Sequence, residues 1–238
     1  MTKITSREIH LASRPDGLPV AENFQLVERS LSPSPSDIVV KNIYMSVDPA
    51  MRPALSNGQT KVDEAMPGGA IGKIIHSHSS DFPIGAYVVH RSGFREYHLS
   101  DGSDLNVITP QDEAISTHLH ILGGTGLTAY GGLLVTGELK DGENVFVSAA
   151  AGAVGSVVCQ IAKIRDCRVA GSCGSDDKVD YLLNELGIDY AFNYKTSSIS
   201  RELHTGSLDK PMNPRIQPPV PRLRGIRGRT HSPGPVDS

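Results

Sequence analysis

The sequence has no tryptophan, 5% aromatic residues and three cysteines among its 238 residues. Three is an odd number, and Cys159, Cys167 and Cys173 follow no framework spacing. That excludes a disulfide-stapled scaffold, and the thiols read as reduced, in a cytoplasmic setting. No apolar run approaches about 18 residues, so no membrane span is expected. The first ten residues lack the apolar core of a signal peptide. Neither sign of charge dominates: 23 Lys and Arg stand against 26 Asp and Glu, a net charge of −3, with none of the basic excess of a nucleic-acid binder. A hydrophobic fraction of 38% is ordinary for a soluble globular chain, and the length suffices for one large domain or two modest ones.

What is present is organised around residues 144–161. Val145 to Val147 is an apolar, β-branched run of the kind that forms a buried parallel strand. Small residues follow from Ala149 to Gly152, and then Val154, Val157, Val158, Ile161 and Ile164 recur at helical spacing. The turn reads Ala150-x-Gly152-x-x-Gly155, one Ala away from the Gly-x-Gly-x-x-Gly dinucleotide fingerprint. Small residues are needed there because the backbone turns tightly, approaches a pyrophosphate and packs the helix close to the strand, while free N–H groups face the phosphates. Taken alone, the hexapeptide is also consistent with a plain strand-to-helix corner. Its context argues otherwise: a second strand from Cys167 to Cys173, a helix opening at Ser175 or Asp176 and ending before Gly187, and a third strand from Ala191 to Tyr194. That order is one mononucleotide-binding half of a Rossmann sheet.

The end of the second strand bears on the cofactor. An NAD site usually carries Asp or Glu there for the ribose 2′-hydroxyl. This strand instead ends Gly171-Ser172-Cys173-Gly174-Ser175. Asp176 and Asp177 read as first-turn helix residues favoured by the dipole. A small, uncharged tip followed by Lys178 suits a 2′-phosphate, so NADP is expected; the bland alternative for Lys178 is a solvated surface cation.

Residues 1 to about 115 read as β-rich. Ile38 to Ile43, Ala70 to Ile75, Ala86 to Val89 and Arg95 to Leu99 are short strands set off by Gly and Pro, as in a small barrel-like domain. Leu119, Leu122, Leu127, Leu133 and Leu134 mark helical segments leading into the second domain. The expected division is 1–115, 116–205 and 206–238, and the expected class is α/β: a β-rich domain followed by a doubly wound parallel sheet.

Several segments together resemble the medium-chain dehydrogenase/reductase superfamily. They are Val20-Ala21-Glu22-Asn23-Phe24, Ser46-Val47-Asp48-Pro49-x-Met51-Arg52, Gly68-Gly69-Ala70-Ile71-Gly72 and Gly123 to Tyr130, followed by the Ala-x-Gly-x-x-Gly unit, Gly174-Ser175-x-x-Lys178-Val179 and Phe192-Asn193-Tyr194-Lys195. They are most similar to its zinc-independent branch of prostaglandin reductases, leukotriene B4 12-hydroxydehydrogenase and alkenal double-bond reductases. The resemblance implies a GroES-like N-terminal domain and a Rossmann domain. It implies that Ala150, Gly152, Ala153, Val154 and Gly155 hold the pyrophosphate of NADP, that Lys178 and Tyr194 contact its 2′-phosphate, and that Thr128 lies near the nicotinamide. The bland readings are a packed strand-end ring for Tyr194 and a helix hydroxyl for Thr128. Ala50 departs from the Tyr that the family often has, which removes a phenol from the substrate-facing loop.

No metal is expected. Ser46 stands where zinc members of the superfamily have an early Cys, Gly68-Gly69-Ala70 stands where they have His-Glu, and residues 1–158 contain no Cys. His76/His78 and His118/His120 lack a third ligand and read as surface histidines. The implied reaction is NADPH-dependent reduction of the C=C bond of an α,β-unsaturated ketone or aldehyde, a small-molecule substrate. Quinone reduction and non-catalytic NADP binding are the alternatives. No catalytic residue is assigned; Tyr44 and Tyr130 are proton-donor candidates by type only. Complete relatives are often homodimers, through a sheet edge in the half of the fold that this sequence does not match.

After Leu203 the family pattern stops. Residues 206–238 hold seven Pro and five Arg without helical or strand period. Disorder or extended polyproline conformation is expected for such a tail, and a chain truncated after about residue 205, with weak or no turnover. A basic, Pro-rich tail also fits an SH3-like groove or nucleic-acid phosphates, although its composition reads first as that of an unselected extension.

Overall fold

The computed structural model describes residues 3–205; the tail expected to be disordered lies outside the described residues. The backbone divides into two compact units, Met1–Ala129 and Tyr130–Ser238, with the division inside the helical passage.

In the first unit, β1 (Ile4–Leu11) and β2 (Phe24–Leu31) form an antiparallel ribbon. The other strands are β3 (Ile38–Met45), β4 (Ala70–His76), β5 (Tyr87–His90), β6 (Tyr97–Ser100) and β7 (Asn106–Ile108). They make one antiparallel sheet in the order β6-β3-β4-β5-β7. A register shift between Asn42 and Tyr44 bends β3 against β4, as a bulge does. Ile38, Val40, Ile74, Val88 and Leu105 form the core of this sheet, and Phe82 and Ala86 pack against it. A satellite cluster joins Leu11, Leu55 and Met66 to Met51 and Phe94, with Met51 and Leu55 supplied by α1 (Met51–Asn57).

The strands read from sequence in this unit are present. Those that sequence did not single out include β1 and β2. In β1 the inward positions carry polar residues: Ser6, Glu8 and His10 are all buried. Each has a partner. Ser6 Oγ accepts the Tyr97 N–H, and His10 sits 2.8 Å from the Glu8 carboxylate. Inverted polarity of this kind hides a strand from any alternation rule.

The second unit contains β8 (Asn144–Val147), α3 (Ala153–Ile164), β9 (Arg168–Cys173), α4 (Asp176–Asp180), which continues as one wider turn through Glu185, and β10 (Tyr190–Asn193). All pairs are parallel and the order is β10-β9-β8, the 3-2-1 half of a Rossmann sheet. β8 is buried along its whole length, which explains its unbroken apolar run. On one face Phe146 stacks on Phe192 at 6.1 Å, and on the other Val145, Val147, Val169 and Ala191 meet Cys159, Ala162 and Leu182. Helix α3 turns small residues inward: Gly155, Ser156, Val157, Cys159 and Ala162 are buried, whereas Ile164 is 81% exposed. The core-facing stripe thus mixes small residues with Val157, while Val158 and Ile161 pack at its edge and only Ile164 of the apolar period points away.

Candidate functional site

The turn after β8 is shaped by Ala149, a non-glycine residue in the left-handed region at φ 50. This conformation is sparsely populated for an L-residue. It places the Ala149 carbonyl where it accepts the Gly152 N–H at 2.9 Å. A β-carbon on Gly155 would run into that same oxygen and would lie 2.9 Å from the Ala150 Cα, so the last position of the motif must be glycine. Ala150, at the motif's first position, is fully buried; its N–H donates to the Ser172 carbonyl at 2.9 Å, which ties the turn to β9. Its methyl is accommodated by Gly171 opposite, where a β-carbon would stand 2.7 Å away. Gly152 caps α3, and Gly152 and Ala153 are exposed while Val154 is half-buried. The first-turn N–H groups of a helix have no intrahelical acceptor. Here the first turn begins at the exposed Ala153, and such an N-terminus suits an anionic group.

The tip of β9 adjoins this turn. Tyr194 donates its N–H to the Cys173 carbonyl at 3.0 Å, and its half-exposed ring folds over Gly174. A β-carbon on Gly174 would meet the Tyr194 Oη at 2.9 Å and the Lys195 Cε at 3.5 Å. Asn193 ties the neighbourhood together: its Nδ2 donates to Asp176 at 2.9 Å, and its Oδ1 accepts the Lys195 N–H at 3.0 Å. Asp176, the first acid after the tip, is thereby turned to Asn193. Lys178 stands exposed on α4. Ala150, Gly152, Ala153, Val154 and Gly155 thus form one continuous turn, and Tyr194 and Lys178 lie on the segments that flank the adjoining tip. Sequence reasoning did not assign Asn193 or Lys195, although both belong to the Asn-Tyr-Lys string.

Thr128 lies in the first unit on α2 (Gly124–Tyr130), exposed, with its hydroxyl donating to the Gly124 carbonyl at 2.7 Å. That back-bond is common for a helical Thr and leaves its oxygen lone pairs available. Tyr44 on β3 and Tyr130 at the end of α2 are both about half exposed. Burial pushes the Cys159 thiol up to about 12, so it is not a nucleophile at neutral pH. Of the histidines read as surface residues, His118 is bonded to Glu113 at 3.0 Å, and the His76 ring packs edge-on against His78 at 4.9 Å with its Nε2 buried. Among the described residues no group of three or more His, Cys, Asp or Glu is arranged to hold a metal ion, and no helix is long and apolar enough to cross a membrane.

Residues 7–108 match the family of the N-terminal domain of oxidoreductase. Prostaglandin reductase 1 of Rattus norvegicus is 43% identical over 199 residues, covering 82% of this chain and 60% of the relative. The 2-alkenal reductase (NADP(+)-dependent) of Nicotiana tabacum is 35% identical over 204 residues, covering 81% and 60%. Among solved structures, CurA from Vibrio vulnificus in complex with NADPH superposes with a TM-score of 0.76 at 36% identity, covering 83% of this chain and 60% of that one. The chain therefore spans about three fifths of the length of these relatives.

Proposed function

The chain belongs to the zinc-independent branch of the medium-chain dehydrogenase/reductase superfamily, and from that premise we propose that it binds NADPH and serves the reduction of the C=C bond of α,β-unsaturated ketones or aldehydes. The observation that carries the cofactor assignment is the β9 tip: Gly174 lies under the Tyr194 phenol, and no carboxylate stands at the tip. An acid there would hold a ribose 2′-hydroxyl and repel a 2′-phosphate.

The residues divide the work as follows. The backbone amides of Ala153, Val154 and Gly155 face the pyrophosphate, on a turn that Ala150 and Gly152 close through their own N–H groups, and the Ala149 carbonyl leaves room for no side chain at Gly155. Lys178 and Tyr194 hold the 2′-phosphate. Thr128 is the residue assigned to the nicotinamide side. When bound, NADPH supplies a hydride for the β-carbon of the conjugated double bond. The α-carbon then takes a proton, and the developing enolate oxygen calls for a hydrogen-bond donor. Tyr44 and Tyr130 are the phenols to test in that role. The substrate class is supported by the name of the tobacco relative, a 2-alkenal being an α,β-unsaturated aldehyde.

The test is titration of the purified chain with NADPH and, separately, with NADH, followed by NADPH oxidation in the presence of an enone. Saturable binding that favours NADPH, with enone-dependent oxidation, is the expected result. Equal affinity for both dinucleotides would sink the cofactor assignment. Binding without turnover would reduce the proposal to an NADP-binding module.

A further inference from the structure

The β9 tip carries a cation that the assignment above does not use. The Lys195 stem lies over Gly174 beside the Tyr194 phenol, with Cε 3.5 Å from the position of a Gly174 β-carbon. Its backbone is pinned, since the Lys195 N–H donates to Asn193 Oδ1 while Asn193 Nδ2 holds Asp176 in the first turn of α4. One amide side chain therefore fixes both segments that flank the tip, the one bearing Lys178 and the one bearing Tyr194 and Lys195. Among the described residues no ion pair engages the Lys195 ammonium, and the side chain is exposed. The geometry is that of a glycine floor left bare so that a phenol and an ammonium stem can close over it.

We propose that Lys195 is a second cation for the 2′-phosphate of NADPH, acting with Lys178 and Tyr194 to set the preference for the phosphorylated dinucleotide. The inference rests on the NADP reading of this site. A phosphomonoester carries nearly two negative charges at neutral pH. A single exposed ammonium balances only part of that charge, and a second one, on a backbone anchored to Asn193, adds a charge-assisted contact.

The experiment uses the full 238-residue chain and probes that reach only this half of the site: adenosine 2′,5′-bisphosphate against adenosine 5′-monophosphate, by isothermal titration calorimetry. The wild-type chain should prefer the bisphosphate. Lys195→Met, which keeps the stem, should weaken bisphosphate binding about tenfold, the size of one charge-assisted hydrogen bond. It should leave the monophosphate unchanged, and Lys195→Arg should restore most of the loss. The wild-type preference should also grow as pH rises through about 6, where the phosphate takes its second charge. A Lys195→Met chain with an unchanged preference, alongside a Lys178→Met chain that loses it, overturns the role of Lys195 and leaves the NADP reading standing. A wild-type chain with no preference, or no binding of either nucleotide, overturns both.

Discussion

Ala150, in the turn after β8, lies against Gly171 of β9, and a β-carbon on Gly171 would stand 2.7 Å from the Ala150 methyl. The motif's departure from glycine at its first position is thus matched by a glycine on the neighbouring strand. The Gly171→Ala variant should lose about 1–3 kcal/mol of stability, as overpacked cores do. Part of that loss should return in the Ala150→Gly/Gly171→Ala double variant. Urea unfolding of the four chains measures the coupling. Additive effects would mean that the two residues do not share the space.

Gly174 allows the Tyr194 phenol to lie over the β9 tip, because a β-carbon there would be 2.9 Å from its oxygen. The Gly174→Ala variant should push the ring aside. NADPH affinity should drop roughly fivefold, about the worth of one hydrogen bond, while NADH affinity holds. Equal losses for both cofactors would point to general distortion of the tip.

His90 is buried with both ring nitrogens satisfied in the neutral form. Nε2–H donates to Asn42 Oδ1 at 2.8 Å, and Nδ1 accepts the Ser92 N–H at 3.1 Å. Burial first, then the neighbouring His98 stacked at 5.0 Å, lowers its pKa from 6.5 to about 4. The unfolded chain takes up this proton first. Its contribution to stability is therefore complete above pH 6.5 and is lost as pH falls toward about 4, up to roughly 3 kcal/mol. Unfolding free energies measured between pH 7 and pH 4 should show that decline, and His90→Gln should flatten it. A variant with the wild-type slope would place the effect in other groups.

Glu8 and His10 are buried together, 2.8 Å apart, on the inward side of β1. His10 Nδ1 donates to the Asp63 carbonyl at 2.9 Å, which leaves Nε2 for the Glu8 carboxyl. The Glu8→Ala variant leaves His10 without this partner and should cost about 3 kcal/mol, as broken buried pairs do. Replacing both residues with apolar ones of similar size should cost much less. Thermal unfolding of the single and double variants distinguishes a pair that supports the fold from one that is merely tolerated.

The Rossmann half was legible because its signals are local. An unbroken apolar strand, a turn of small residues and a helical period need only neighbouring residues to be read, and the order of β8, α3 and β9 follows from chain sequence. The inward stripe of α3 was legible only in part. The apolar period marked Val157, Val158 and Ile161, which meet the core, but not Gly155, Cys159 and Ala162, which face it as well because the helix lies close to the sheet. β1 escaped notice for a related reason: its inward polar residues are satisfied by partners as distant in sequence as Asp63 and Tyr97.

The sequence by itself determined the class of this protein, the glycine-rich turn, the uncharged β9 tip and the motif strings that mark its family, because each is written in contiguous residues. Only the tertiary structure decided which small residues are indispensable and what shares a surface with them. That Gly155 must clear the Ala149 carbonyl follows from the left-handed bend of the turn itself, whereas Gly171 making room for Ala150 and Asn193 holding Asp176 are consequences of the β-α-β crossovers, which bring segments about twenty residues apart into contact. Distances of that kind depend on chain packing, and no local pattern encodes them.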